Sequence, residues 1–273
     1  MDLGELLAGW EAPDAAAGVV AVDGRRLAVY GDTGRPSRWA SITKLATALA
    51  ALVAFEEGTL DLDEAAGPPG STVRHLLAHA SGLAFDDDRV LTQPGRRRIY
   101  SNTGYRVLGA TVAARARMPF ERYLTEAVLE PLGLDRTDLD GSAAAGLVGP
   151  LHDLLHLAAE LCRPTLVSPE TLGLATTVAF PGLAGVLPGV GRYDPLDWGL
   201  GFELRDAKSP HWTGASNSAR TYGHFGGSGS FLWVDPDAGL GCAALSRREF
   251  GPWAMRAWPP FSDAVLDRFA GAV

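Results

Sequence analysis

The chain has 273 residues, of which 47% are hydrophobic, and carries a formal net charge of −8. That length and apolar content are sufficient for one large core or for two lobes that share one. An acidic chain without a basic patch argues against nucleic acid or an anionic membrane as a partner. The longest apolar run, residues 45–55, is well below the roughly 18 residues that indicate a membrane span, so we expect it to be a buried helix.

The N-terminal region predicts a short helix at 2–10 and two strands at 18–22 and 26–30. Asp23-Gly24 between the strands is a strong hairpin signal. The first residues are acidic where a secretory signal peptide needs basic ones, and no long apolar segment follows them. We therefore expect a cytoplasmic protein, unless a leader has been removed, and this disfavours a cell-wall or secreted enzyme.

The segment Ser41-Ile42-Thr43-Lys44 lies where a polar loop meets the apolar run, and its lysine is one of two in the chain. If a helix begins at Ser41, Ser41 Oγ and Lys44 Nζ stand on one face and come within hydrogen-bonding reach. Burial would lower the pKa of Lys44 and make it a base near neutral pH, which a serine nucleophile requires. Taken alone, Ser-x-x-Lys is weak evidence, because Ser41 could also be an ordinary helix N-cap.

The middle of the chain, from residue 59 to about 188, has a mainly helical pattern interrupted by glycines and a proline. The predicted helices are 73–79, with Ser71 or Thr72 as its N-cap, 105–117, 122–128, and 154–161, opened by Asp153. Arg96-Arg97-Arg98 is the only basic run. Because three aspartates lie close before it, we expect a solvated loop whose charges compensate each other, with a substrate-facing rim as the alternative.

Strand patterns return in the last third of the chain, at 199–204, 231–234 and 242–246, and a helix at 262–269 ends it. Strands at both ends with helices between them predict a discontinuous α/β lobe, made of 1–58 and 189–273, and a helical lobe made of 59–188. The chain has two cysteines, Cys162 and Cys242. Two are too few for a disulfide framework, so we expect buried thiols.

Two further motifs accompany the Ser-x-x-Lys segment: Tyr100-Ser101-Asn102, and His224-Phe225-Gly226-Gly227 just before a predicted strand. In order and spacing the three resemble the serine β-lactamase and penicillin-binding superfamily, whose catalytic set is S-x-x-K, S-D-N and K-T-G. More narrowly, the chain resembles the branch of class C β-lactamases, D-Ala-D-Ala carboxypeptidases and esterases, in which the second motif is Tyr-x-Asn and the third can begin with His. Residues 74–83 and 100–105 are similar to that branch's "LLxHxSGL" and "YSNxGY" stretches.

The resemblance, which extends from about residue 18 to 247, implies an α/β fold of two lobes. An antiparallel sheet would be flanked by helices, a helical lobe would be inserted, and the active site would lie in the cleft between them. Ser41 would be the catalytic nucleophile and Lys44 its neighbour one turn along the helix. Tyr100, on a loop of the helical lobe, would relay a proton.

The resemblance also implies a set of substrate-binding residues. Asn102, on the same loop as the tyrosine, would hold the lysine and a substrate carbonyl, and the segment from His224 to Gly227 would be the edge strand beside the nucleophile. The backbone N–H groups of Ser41 and Gly227 would form an oxyanion hole. Glycine at Gly226 and Gly227 would allow the backbone to approach the substrate closely.

Two departures from the family pattern concern the third motif. Phe225 stands where relatives often have a threonine whose hydroxyl helps to bind a substrate carboxylate, which puts recognition of penicillin and D-Ala-D-Ala in doubt. His224 replaces the more usual lysine, so a proton donor remains but a fixed positive charge is lost.

The expected function is that of a serine hydrolase that forms an acyl-enzyme on Ser41, as an esterase or amidase of small acyl substrates. The alternatives are a β-lactamase or D-Ala-D-Ala carboxypeptidase, a non-catalytic binding protein of the same fold, and a zinc hydrolase built on His152 and His156. The last pair resembles H-E-x-x-H with Asp in place of Glu, but no third ligand follows at a suitable spacing. We expect no cofactor or metal and a small-molecule acyl substrate. The oligomeric state stays open.

Overall fold

The chain is described from residue 2 to residue 272 by a computed structural model. Its α-helices are α1 (Leu3–Leu7), α2 (Thr43–Glu56), α3 (Val73–Leu77), α4 (Asn102–Ala116), α5 (Phe120–Leu124), α6 (Leu151–Cys162), α7 (Pro169–Ala175) and α8 (Pro252–Phe269). Ala40–Ile42 and Ala270–Ala272 form 3-10 turns, and Thr125–Leu129 is a π-helical turn. The strands are β1 (Ala16–Ala21), β2 (Arg26–Tyr30), β3 (Ser37–Arg38), β4 (Arg98–Ile99), β5 (Asp138–Leu139), β6 (Leu147–Gly149), β7 (Gly185–Leu187), β8 (Gly191–Tyr193), β9 (Glu203–Leu204), β10 (Tyr222–Gly226), β11 (Ser230–Asp235) and β12 (Leu240–Leu245).

The main sheet has six strands in the order β2-β1-β12-β11-β10-β9, and every neighbouring pair is antiparallel. The predicted Asp-Gly turn joins β1 to β2, with Gly24 at a φ of +86°. The N-terminal strand β1 pairs with β12 from the other end of the chain. Residues far apart in sequence therefore share this sheet, as the alternation of strand and helix patterns predicts.

The sheet separates two hydrophobic cores because successive side chains of a strand point to opposite faces. The core that contains α2 and α6 takes from the sheet Val20, Leu232, Val234, Ala243 and Leu245. The core that contains α1 and α8 takes from it Val19, Phe231, Trp233, Cys242 and Ala244. The predicted fold class, an antiparallel sheet flanked by helices, is confirmed. The division into lobes at 58 and 189 stays a prediction.

Several element boundaries differ from those predicted. Helix α8 begins ten residues earlier than expected and contains Pro259 and Pro260 in its interior. Helix α6 begins at Leu151, and Asp153 does not cap it. Its carboxylate instead accepts hydrogen bonds from Arg136 N at 3.0 Å and Thr137 Oγ1 at 2.8 Å. Because Asp153 is hydrogen-bonded to residues of another segment, it does not have the helix-capping role that the local sequence pattern suggests.

The prediction of a solvated basic loop is wrong for Arg98, although Arg96 and Arg97 are exposed. The Arg98 side chain is buried and donates to the carbonyl oxygens of Ala78 at 2.6 Å and Leu196 at 3.0 Å, among others. Burial lowers the pKa of this guanidinium to about 10. Backbone carbonyls, which sequence patterns do not mark, supply its hydrogen-bond partners.

Both cysteines are free, and Cys242 is fully buried while Cys162 is partly so. Burial raises the pKa of the Cys162 thiol to about 12. None of the described helices combines the length and the apolar character that crossing a bilayer would need.

Candidate active site

Ser41 lies in a 3-10 turn and not, as predicted, on the α-helix, which begins two residues later at Thr43. The preceding residue, Ala40, has a φ of +47°, a left-handed conformation that costs a non-glycine residue on the order of 1–3 kcal/mol. The turn is held by the buried Trp39, whose two N–H groups donate to carbonyls of β6 at 2.9 and 3.1 Å. Ser41 itself is only partly buried.

Lys44 is completely buried, and its amine contacts three acceptors. Nζ is 3.2 Å from Ser41 Oγ, 2.7 Å from Asn102 Oδ1 and 2.9 Å from the Ala144 carbonyl oxygen. A neutral amine has two N–H donors and one lone pair. The two carbonyl groups can accept the two N–H groups, which leaves the lone pair to accept the hydrogen of the Ser41 hydroxyl.

The charge state of Lys44 is governed by its burial. Desolvation lowers the pKa of the amine to about 7, with Asp86 opposing the shift and Arg106 adding to it. Asp86 and Arg106 pair with each other at 2.6 Å on the surface, so their effects on the amine partly cancel. A large fraction of Lys44 is therefore neutral at physiological pH and able to accept a proton.

Tyr100 and His224 form a second buried pair, with Tyr100 Oη 2.8 Å from His224 Nε2. Burial raises the pKa of the phenol above its usual range, and a hydrogen bond with Ser41 opposes that shift. Burial, together with the nearby Lys44, lowers the pKa of His224 to about 3. Both groups are neutral at ordinary pH, so the third motif brings no positive charge to the site.

The second motif spans the end of a loop, where Tyr100 lies as predicted, and the start of a helix. Ser101 caps α4 by accepting a hydrogen bond from Gly104 N at 2.9 Å, so Asn102 is the first residue of that helix and does not lie on a loop. Its helical position aims the side chain at Lys44.

His224, Phe225 and Gly226 of the third motif lie on β10, and Gly227 follows its end. Strand β10 is second from the edge of the sheet, but β9 pairs only with its first two residues, which precede the motif. A Cβ on Gly226 would collide with the carbonyl of Trp39, whereas one on Gly227 would meet nothing within 4 Å. Glycine at 226 thus permits close contact with the nucleophile turn and not with substrate. Phe225 is buried against Phe250, with ring centroids 4.6 Å apart, and so belongs to the core.

A cavity of about 380 Å3 adjoins Tyr100. Its apolar lining includes Phe85, Leu91, Ile99, Val186 and Pro188, with the exposed Arg97 also on its wall. Phe85, Leu91 and Val186 are each about half exposed, at 50%, 55% and 52%. A larger cavity, of about 630 Å3, is lined mainly by residues near α7 and β9 and includes none of the motif residues. The smaller cavity thus adjoins the second motif through Tyr100.

The His152 and His156 rings lie 4.7 Å apart, but His156 Nδ1 is 3.1 Å from the carbonyl oxygen of Leu132. Within residues 2–272, no three His, Cys, Asp or Glu side chains are grouped so as to hold a metal ion.

Comparison with known proteins places the chain in a family. The family described as Beta-lactamase matches residues 8–266, so the chain belongs to it. Its fold is that of the β-lactamase and penicillin-binding hydrolases, and the predicted superfamily is confirmed.

Individual relatives agree with that assignment. A β-lactamase from Mycobacterium bovis is 54% identical, with a TM-score of 0.96 over 98% of this chain and 99% of its own. Simvastatin synthase from Aspergillus terreus shares the fold at 19% identity, with a TM-score of 0.79 over 98% of this chain and 94% of its own. The "Putative D-alanyl-D-alanine carboxypeptidase" of Salmonella schwarzengrund (strain CVM19633) is 25% identical over 59% of this chain. The chain spans 48% of that relative's length.

Proposed function

We propose that the protein is a serine hydrolase that forms an acyl-enzyme on Ser41 and acts on esters or amides with small, apolar acyl groups. The observation that carries the proposal is the position of Lys44, buried 3.2 Å from Ser41 Oγ with a pKa of about 7. A non-catalytic binding protein would not need a buried lysine beside an accessible serine. Burying a lysine without a carboxylate partner costs stability. In the proposed mechanism the buried amine serves as the base, which accounts for that cost.

The reaction begins when Lys44 Nζ takes the proton of the Ser41 hydroxyl and Oγ attacks the substrate carbonyl carbon. The oxyanion would be held by the backbone N–H groups of Ser41 and Gly227, and such donors contribute about 2.7–4 kcal/mol elsewhere. Tyr100 gives its proton to the leaving group and is reprotonated from Lys44. Water then repeats the sequence on the acyl-enzyme, releasing the acid and restoring the hydroxyl.

The lining of the cleft supports a neutral acyl group. The cavity beside Tyr100 has a mainly apolar wall, and His224 is neutral with a pKa of about 3. Position 225 of the third motif is a phenylalanine, which has no hydroxyl to bind a carboxylate, and its side chain is buried in the core. Burying a carboxylate without a partner is costly, so esters of uncharged acids are the preferred substrates.

The second candidate function is that of a β-lactamase or D-Ala-D-Ala carboxypeptidase. It is favoured by the names of the relatives, in particular the Mycobacterium bovis β-lactamase at 54% identity. Both functions use the same acyl-enzyme, so they differ in substrate and not in the residues at the reaction centre.

Two measurements test the proposal. Intact-mass spectrometry after treatment with a fluorophosphonate should show one label, which Ser41→Ala removes and Ser228→Ala keeps. Ser228 is the matched control because it follows the glycines of the third motif and is itself partly exposed. A label that persists in Ser41→Ala would remove that residue from the mechanism.

Profiling p-nitrophenyl acyl esters, D-amino-acid amides and a chromogenic cephalosporin should give the highest kcat/KM for the esters. A higher value for the cephalosporin would favour the second candidate.

A further inference from the structure

His79 occupies a backbone position that normally favours glycine. Helix α3 ends in a Schellman motif, in which Ala80 N donates to His75 O at 2.8 Å and His79 N donates to Leu76 O at 3.2 Å. The residue after the C-cap in this motif adopts a left-handed conformation and is usually glycine. His79 is there with a φ of +53° and is almost fully buried. The backbone does not need an imidazole at this point, so the side chain must be explained by its contacts.

Those contacts hold the chain on both sides of Tyr100. The N–H of Ile99 donates to the backbone carbonyl of His79 at 2.8 Å, and the N–H of Ser101 donates to its Nδ1 at 3.1 Å. The imidazole also lies against the Tyr100 ring, with centroids 4.5 Å apart. One residue therefore fixes the residues before and after the phenol and one face of the phenol itself.

The hydrogen bond from Ser101 determines the protonation of the ring. Because that N–H donates to Nδ1, Nδ1 carries no proton, and the neutral imidazole has its hydrogen on Nε2. Burial keeps the pKa of His79 well below its ordinary value, and Lys44, His224 and Arg98 all act in the same direction. Nε2 has no hydrogen-bond partner within the described residues, and the ring of Trp198 lies 4.8 Å away. His79 is thus a neutral hydrogen-bond acceptor and not an acid or base of the reaction.

We infer that His79 is a positioning residue that fixes the Tyr100 hydroxyl for proton transfer to the leaving group. The inference rests on the proposed function, in which Tyr100 supplies that proton. The hydroxyl is 2.8 Å from His224 Nε2, so a small rotation of the 99–101 segment would change its distance both to His224 and to Ser41. A displacement near 1 Å can cost about a hundredfold in rate when a reacting group is misplaced.

The test uses leaving groups of different basicity on one acyl group. A p-nitrophenolate leaves without help, whereas an alkoxide needs a proton, so a misplaced Tyr100 should matter mainly for an alkyl ester. His79→Gly relieves the left-handed backbone and removes the imidazole. We expect kcat/KM for ethyl butyrate, which reports the acylation step, to fall by about tenfold to a hundredfold, and kcat/KM for p-nitrophenyl butyrate to fall by much less. Adding His79→Gly to Tyr100→Phe should then lower the ethyl-ester rate little further.

Two more variants keep the test decisive. Asparagine at position 79 tolerates the left-handed backbone and offers an oxygen to the Ser101 N–H. His79→Asn should therefore retain more ethyl-ester activity than His79→Gly. It also provides the test if the glycine variant does not fold. His75→Asn is the matched control, because His75 lies on α3 and stacks on Phe180 at 4.2 Å, away from Tyr100. It should change both esters equally.

Three results would overturn the inference. One is an equal loss on the two esters for His79→Gly, which is the mark of a smaller folded fraction. The second is a loss that simply multiplies with that of Tyr100→Phe. The third, an unchanged ethyl-ester rate in Tyr100→Phe, removes the proton donor and the positioning role with it. The proposed function fails separately, if Ser41→Ala remains active.

Discussion

The two lysines of the chain are both buried, but their surroundings differ. Lys208 lies 2.8 Å from the carboxylate of Glu203 and also donates to the carbonyl oxygens of Asp197 and Leu204. Desolvation would raise the pKa of Glu203, yet His211 and Lys208 hold it at about 2. Lys44 has only uncharged acceptors within hydrogen-bonding distance in the described part of the chain.

The comparison shows that burial alone does not make a base. A buried ammonium beside a carboxylate keeps its charge, because the ion pair compensates part of the lost hydration. A buried ammonium among hydroxyl and carbonyl oxygens loses its proton more easily, and the pKa of Lys44 falls to about 7. In the proposed mechanism the two lysines therefore have opposite tasks, Lys44 in the chemistry and Lys208 in the stability of the fold.

The largest expected effect comes from exchanging each lysine for arginine. Lys44→Arg keeps a cation that cannot act as a base, so kcat/KM for a p-nitrophenyl ester should fall on the order of a thousandfold or more. Lys208→Arg, the matched control, should change the activity per folded molecule little. Retention of most activity by Lys44→Arg would make His224 the better candidate for the base.

Coupling within the site can be checked in the same assay. Groups that act as a unit are not additive, so adding Tyr100→Phe to Lys44→Arg should cost little beyond Lys44→Arg alone. Two losses that multiply would mean that the lysine and the phenol act in separate steps.

Removal of the charge at position 208 should affect stability instead. Lys208→Met leaves Glu203 buried with His211 and Trp212 as partners, at 2.9 and 3.0 Å. Breaking such a pair costs about 3 kcal/mol, which urea unfolding would measure as a lower midpoint. Activity per folded molecule should stay close to that of the unmodified protein. A stable but inactive variant would show that the comparison between the two lysines is wrong.

The pH dependence follows from the lowered pKa of Lys44. If Lys44 is the base, as proposed, the neutral amine is the active form, and kcat/KM should rise with pH along a limb centred near 7. In the unfolded chain Lys44 has its ordinary pKa of 10.5, whereas in the folded chain its pKa is about 7. Between these two pH values the unfolded state binds more protons, so the contribution of Lys44 to the free energy of unfolding increases as the pH rises from about 7 to 10.5. An activity profile that is flat from pH 5 to 9 would contradict the assignment, whereas the urea midpoint tests the stability effect.

The smallest expected effect concerns the surface pair near the site. Asp86 raises the pKa of Lys44 and Arg106 lowers it. Asp86→Asn should therefore move the acid limb of the kcat/KM profile to lower pH, and Arg106→Gln should move it to higher pH. Shifts in the same direction for both variants would indicate a structural change in place of a charge effect. High salt should reduce both shifts, since the pair is exposed.

Local sequence patterns predicted the elements that depend on neighbouring residues. The contact between Ser41 and Lys44 was predicted from residue spacing, and the β1–β2 hairpin from Asp23-Gly24. The roles assigned to the three motifs rest on resemblance to a family and stay proposals. The carbonyl of Ala144, which holds Lys44 from 100 residues away, left no signal in the sequence. Main-chain acceptors can belong to any residue type, and only the folded chain shows which one is used.

The close fit of β10 against the turn before Ser41 has a consequence for transplanting parts of this protein. Gly226 has no room for a side chain beside the Trp39 carbonyl, and Ser230 Oγ and Ser228 Oγ donate to the carbonyls of residues 39 and 38 at 3.0 and 2.7 Å. The strand and the turn thus form a single module. A graft that moves the third motif into a relative should succeed only when the matching turn is moved with it.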